Sequence, residues 1–143
     1  MATIVQIAEA VLYVTDLPRA RDFYTRVLGL LVSADFGDSC FLQTGEHSTL
    51  ILFDVNALET RVSVIPGHGA RGRGHVSLAI PPEEMDAWRA RLRAQGVPIE
   101  HEQDWPLGTH SIYFRDPDDN SVELMDATHY RRVWQQLRQR GQI

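Results

Sequence analysis

Residues 11–30 read Val11-Leu-Tyr-Val-Thr-Asp-Leu-Pro-Arg-Ala-Arg-Asp-Phe-Tyr-Thr-Arg-Val-Leu-Gly-Leu30, and two different periodicities meet inside this stretch. Up to Thr15 the apolar residues alternate, continuing a pattern rich in Val, Ile and Tyr that begins at Ile4, which is the period of a strand. At Asp16 the period changes. Asp16 is a residue that can cap a helix, Pro18 suits a first turn, and Ala20, Phe23, Tyr24, Val27 and Leu28 recur at helical spacing until Gly29 ends the run. A strand over residues 4–15 is therefore followed directly by an amphipathic helix.

Beyond the helix come three short β-like runs, at 30–36, 40–44 and 49–55, parted by the turn signals Gly37-Asp38 and Gly45-Glu46. The pattern lapses from 56 to 74, where Pro66-Gly-His-Gly-Ala-Arg-Gly-Arg-Gly reads as a mobile connection. The first half then repeats. Residues 75–80 form a strand, Pro81-Pro-Glu-Glu opens a helix through Met85, Trp88, Leu92 and Gln95 that Gly96 closes, and strands follow at 97–100, 111–115 and 121–125. The expected fold is α+β: two tandem βαβββ modules, about 4–55 and 75–126, in one domain with a linker at 56–74. A last helix is expected over about 128–140, with Tyr130, Val133, Trp134 and Leu137 on one face.

Composition removes several functions. Net charge is −5 and the basic residues are scattered, so nucleic acid is an unsuitable partner. No stretch reaches the roughly 20 apolar residues of a membrane span, and a soluble, cytoplasmic protein is expected. All 14 basic residues are arginine, which excludes Schiff-base and lysine general-base chemistry by this chain. The single Cys40 excludes an internal disulfide and reads as a small buried hydrophobe.

Three ionisable residues stand in places that call for a partner. Glu9 shares a strand face with Ile7, Val11 and Tyr13, so its carboxylate is expected against an apolar wall, where a charge needs compensation. Glu123 sits between Val122 and Leu124, with Met125 nearby. His75 begins its strand and precedes Leu78 by three residues, as Glu9 precedes Leu12, so the two modules present equivalent groups from their first strands. One imidazole and two carboxylates would form a hard-to-borderline set suited to one divalent ion of Mn, Fe, Ni, Co or Zn. Taken singly, a histidine at a strand start is more often structural and an edge glutamate more often solvated.

The segments 11–30, Gly74-His-Val-Ser-Leu-Ala-Ile80 and Ser111-Ile-Tyr-Phe-Arg-Asp-Pro-Asp-Asp-Asn-Ser-Val-Glu-Leu124 resemble the vicinal oxygen chelate superfamily, which includes glyoxalases, fosfomycin-resistance enzymes, extradiol dioxygenases and bleomycin-resistance proteins. The resemblance spans about residues 5–126. It implies paired βαβββ modules whose curved mixed sheet cups a metal, commonly at a homodimer interface, and a small-molecule substrate that chelates the metal through adjacent oxygens. His75 and Glu123 match second-module ligand positions, while Glu9 falls where most members have His. The fourth ligand of glyoxalases has no counterpart in Thr49-Leu-Ile-Leu-Phe53, and Asp54 follows just beyond it.

Strand alternation places Ser111, Tyr113 and Arg115 on one face of their strand. The resemblance turns Ser111 and Tyr113 towards the cavity as substrate donors. Arg115 and Trp105 complete the expected substrate contacts, with Trp105-Pro106 read as a turn or a lid. Glu9 and Tyr113 are the residues that could transfer protons. The expected function is a divalent-metal-dependent enzyme, a lyase, isomerase or dioxygenase, acting on a small substrate that chelates the metal through adjacent oxygens; an extradiol-type ring-cleaving dioxygenase and a non-catalytic bleomycin-resistance-type binder are the alternatives.

Overall fold

The computed structural model describes residues 2–142. The chain divides into two compact units, one of residues 1–76 and 116–120 and the other of 77–115 and 121–143. Each carries a four-stranded mixed sheet, and the two sheets repeat one strand order.

In the first unit β1 (Glu9–Val14) leads into α1 (Leu17–Arg26), then β2 (Leu31–Asp35), β3 (Ser39–Gly45) and β4 (Ser48–Asp54), with the sheet order β1-β4-β3-β2. β1 lies parallel to β4, and the other pairs are antiparallel. α1 starts where the sequence places it: the Asp16 carboxylate accepts from the Arg19 amide at 3.0 Å, Pro18 lies in the first turn, and Gly29 takes φ 75°. Register puts Leu12 beside Leu52 beside Cys40, and Leu50 beside Leu42, on one face of the sheet. These side chains are buried, as are Ala20, Phe23, Tyr24 and Val27 of the helix that covers them. Cys40 is one of them, fully buried and unbonded to another sulfur.

The expected strand at 4–15 is shorter than its alternation implies. Residues 2–8 are exposed, and regular pairing begins at Glu9. The expected lapse after residue 55 is partly helical: Asp54 accepts from the amides of Asn56 and Ala57 and starts α2 (Val55–Thr60). The irregular arm that follows is tied down. Arg71 bonds Glu59 and Asn56, Arg61 pairs with Asp38, and Tyr13 Oη meets His68 Nδ1 at 2.9 Å.

In the second unit β5 (His75–Ile80, whose first two residues belong to the first unit) is followed by a 3-10 turn at Pro82–Glu84 and α3 (Met85–Ala94), then β6 (His101–Trp105), β7 (Thr109–Arg115), β8 (Ser121–Asp126) and α4 (His129–Gln139). The order is β5-β8-β7-β6. Ile112 pairs with Leu124 and Phe114 with Val122, and all four are buried with Met85 and Leu92 of α3. Arg89 of α3 reaches Glu102 and His110 on the same side. The first strand after α3 is at 101–105 and not at 97–100. The segment 97–100 carries no regular structure, because the antiparallel partners of β7 are His101 to Trp105.

The turn 116–120 joins β7 to β8 yet packs in the first unit. Asp116 is 5% exposed, and its carboxylate accepts four bonds of 2.9 Å, from Tyr24 Oη, Asn120 Nδ2 and the amides of Asp118 and Asn120. Burial, reinforced by this carboxylate, holds the Tyr24 phenol protonated far above its usual range. Asn120 Oδ1 in turn accepts from the Gly74 amide at 2.6 Å. A Cβ at Gly74 would lie 2.8 Å from Leu12 Cδ2 and 3.1 Å from Asn120 Oδ1, so a larger residue there would have to displace the buried Leu12 side chain. Asp116→Ala would leave several buried donors unpaired, and equilibrium urea unfolding is expected to show a loss of about 2–4 kcal/mol, against about 1 kcal/mol for Tyr24→Phe.

Candidate functional site

Each sheet has one face packed under a helix and one face turned the other way, and the candidate residues lie on the second. On the first sheet, register sets them in rows: Glu9, Thr49 and Gln43; Val11, Ile51 and Phe41; Tyr13, Phe53 and Ser39. Glu9 is exposed and Ile7 is 80% exposed, while Val11 and Tyr13 are half-buried. The expected apolar wall around Glu9 is therefore absent from the single chain: alternation correctly put these residues on one face, but that face is open around Glu9. Asp54, the residue beyond the expected fourth-ligand strand, spends its carboxylate on capping α2.

On the second sheet the rows are His101, Tyr113 and Glu123, then Gln103, Ser111 and Met125, with Trp105 opposite Thr109. Glu123 is 3% exposed, and Tyr113 Oη donates to its Oε1 at 2.9 Å. Burial, and then the bond and charge of Glu123, push the Tyr113 phenol up to about 12. At neutral pH Tyr113 is therefore a proton donor that orients Glu123. Ser111 is fully buried and accepts from Trp105 Nε1 at 2.9 Å. Trp105 ends β6, with the turn at 106–108 after it, and its ring lies 6.0 Å from that of His129. Arg115 pairs with Glu100 at 2.7 Å.

His75 is the exposed first residue of β5, the strand next to β8 in the sheet. Among the described residues of the single chain, no group of three His, Cys, Asp or Glu forms a set that could hold a metal. A residue that the sequence analysis does not single out is His101. Its ring lies 6.0 Å from that of Tyr113, in the row that ends on Glu123. Alternation of His101, Gln103 and Trp105 was the available signal once the strand is started at His101.

A family model described as the Glyoxalase/Bleomycin resistance protein/Dioxygenase superfamily matches residues 4–124. The chain belongs to this superfamily. It is 35% identical to a lactoylglutathione lyase from Agrobacterium tumefaciens, with a TM-score of 0.84 over 90% of this chain and 98% of that one. A glyoxalase/bleomycin resistance protein/dioxygenase from Nocardioides superposes with a TM-score of 0.67 at 26% identity, covering 88% of this chain and 85% of that one. Biphenyl-2,3-diol 1,2-dioxygenase 3 of Rhodococcus globerulus is 32% identical over 83% of this chain. The chain spans about three-fifths of that relative's length, 62%.

Spectrophotometric titration is expected to place one tyrosine near the value of about 12 assigned to Tyr113. Glu123→Gln should lower that value only part of the way towards the ordinary phenol range, because burial is the larger cause. A full return would assign the shift to the carboxylate alone.

Proposed function

We propose that this chain is a divalent-metal-dependent enzyme acting on a small molecule that offers the metal two neighbouring oxygens, with Glu9, His75 and Glu123 as the protein ligands. The observation that carries the reading is Glu123: a carboxylate buried on the face turned away from the helix, aimed by a tyrosine that keeps its proton. A buried carboxylate with one oxygen fixed by a neutral donor is the second-sphere arrangement that orients a metal ligand. Imidazole and carboxylate donors fit Mn, Fe, Ni, Co or Zn. When bound, such an ion acts as a Lewis acid on the oxygens of the substrate.

The proteins this chain resembles support two reaction classes. Similarity to a lactoylglutathione lyase along nearly that protein's whole length favours a lyase or isomerase. The identity to biphenyl-diol dioxygenases favours ring-opening oxygenation as the second reading, over a shorter share of those chains. For a proton-transfer reaction, Tyr113 is too weak an acid to serve as a base at neutral pH, and residues 49–53 offer no ionisable side chain. Glu9, exposed and on the open face, is then the residue we assign as base, acting when its carboxylate leaves the metal.

We read the active form as a homodimer. Ile4, Val5, Ile7, Tyr130 and Trp134 are all more than half exposed in the single chain, and apolar surface of this kind is commonly buried against a second copy. Light scattering at micromolar concentration should give twice the chain mass; a monomeric mass overturns the dimer.

Metal analysis after reconstitution should find about one ion per chain in the native protein and a loss of at least about tenfold in affinity for His75→Ala. Glu9→Gln is expected to lower turnover far more than metal affinity. Equal loss of both would make Glu9 a ligand only, and unchanged metal content in His75→Ala would remove the site.

A further inference from the structure

The first unit contains a cavity of about 310 Å³ on the same sheet face as Glu9, at the opposite end of β1. Phe36, Phe41, Phe53, Leu58, Ile65 and Pro66 are its apolar lining. The aromatic groups stand edge to face: Phe36 and Phe41 at 5.5 Å between ring centres, Phe53 and His68 at 4.9 Å. The irregular arm after α2 supplies the rest of the lining, including Arg61, Ser63 and His68, and is tied down by the bond from His68 to Tyr13 and the ion pair of Arg61 with Asp38.

From these features we infer that the cavity is a binding site for a neutral aromatic body of one or two fused rings. Size and chemistry agree on this occupant. The volume stands at the lower end for small-molecule sites, which run from about 300 to 1,000 Å³. Ring faces and edges in this arrangement are complementary to a further aromatic ring. Charge separates neutral from anionic ligands. The one guanidinium in the lining, Arg61, lies 3.4 Å from the Asp38 carboxylate, so its charge is already balanced. Ser39, a buried residue of the lining, likewise donates to Asp38 at 3.0 Å.

The site deepens the proposed function, and rests on it only for the statement that the occupant is part of a substrate. Glu9 stands four residues from Tyr13 along β1, about 13 Å at the rise of a strand. An aromatic body in the cavity would direct its polar end across the Val11–Ile51 row towards Glu9.

The test uses full-length protein and two probes, 2-naphthol and 2-naphthoate, followed by titration calorimetry. 2-Naphthol should bind with one site per chain and at least about fivefold more tightly than 2-naphthoate. Two substitutions on the exposed arm act on the cavity and leave the packed core alone: Ser63→Trp fills it and Ile65→Asp places a charge in its wall. Each should weaken 2-naphthol at least about tenfold with an unchanged circular dichroism spectrum. Tighter binding of 2-naphthoate overturns the neutral class, and unchanged affinity in both variants overturns the site. His75→Ala and chelator-treated protein should bind 2-naphthol within about twofold of the native protein. A large loss there would put the probe at the metal ligands and also overturn the site. If no metal binds but the naphthol results hold, the metal reading fails by itself and the aromatic site stands.

Discussion

The structure turns on a single buried carboxylate. Asp116 lies in the turn that joins two strands of the second module, yet its four hydrogen bonds are made within the first unit, with α1 supplying one of them through Tyr24. A buried charge is costly unless its lone pairs are met, and here donors from the backbone and from two side chains meet them. The bond continues outward. Asn120, fixed by Asp116, accepts from the Gly74 amide, and Gly74 immediately precedes His75. On the other side of the turn Asp118 takes both the amide and the hydroxyl of Thr15, where β1 gives way to α1. One short turn thus holds both the junction of the first strand with its helix and the residue before the fifth strand, and with the latter the place of a candidate ligand.

Both sheets divide labour between their faces by the same alternation. Leu12, Leu50 and Leu52 in one, and Ile112, Phe114 and Leu124 in the other, are committed to the packed side. That leaves Glu9, Tyr13 and Phe53, and Tyr113 and Glu123, free of any duty in the helix-covered core. The two glutamates nevertheless differ. Glu9 has Thr49 and Gln43 as its row neighbours and is exposed, whereas Glu123 has Tyr113 and is buried. A short polar neighbour leaves a carboxylate in water; a tyrosine covers it and donates to it. The repeat in strand order therefore carries different chemistry in its two halves.

Much of this was legible in the sequence because the signals were local. Asp16, Pro18 and Gly29 bracket α1 by capping and backbone preference alone, and His75–Ile80 reads as a strand from its first residue to its last. What failed depended on partners far along the chain. Residues 97–100 contain Val97 and Ile99 and look more like a strand than His101-Glu-Gln-Asp-Trp105, yet the polar run is the strand, since an edge needs backbone pairing with β7 more than apolar side chains. α2 has only six residues, too few for a helical period to show, and exists because Asp54 caps it. The exposure of Glu9 had the same origin: alternation tells which residues share a face, and nothing in it tells what covers that face. Tyr113 was found by alternation, but its partnership with Glu123 became visible only through the register of β7 on β8.

The proposed ligand set has a consequence for chemistry that follows from charge alone. Two carboxylates and a neutral imidazole balance a divalent ion, so the centre carries no net charge, where a set of two imidazoles and one carboxylate would leave it at +1. A neutral centre polarises a bound oxygen less strongly and holds an anionic substrate less tightly. The aromatic cavity on the same face is balanced in the same way, its arginine paired with Asp38. Discrimination at such a site cannot come from long-range attraction of charge. It has to come from shape and apolar contact at one end and from the exact spacing of two oxygens at the other, and a substrate that lacks either end forfeits the corresponding contacts without any compensating field.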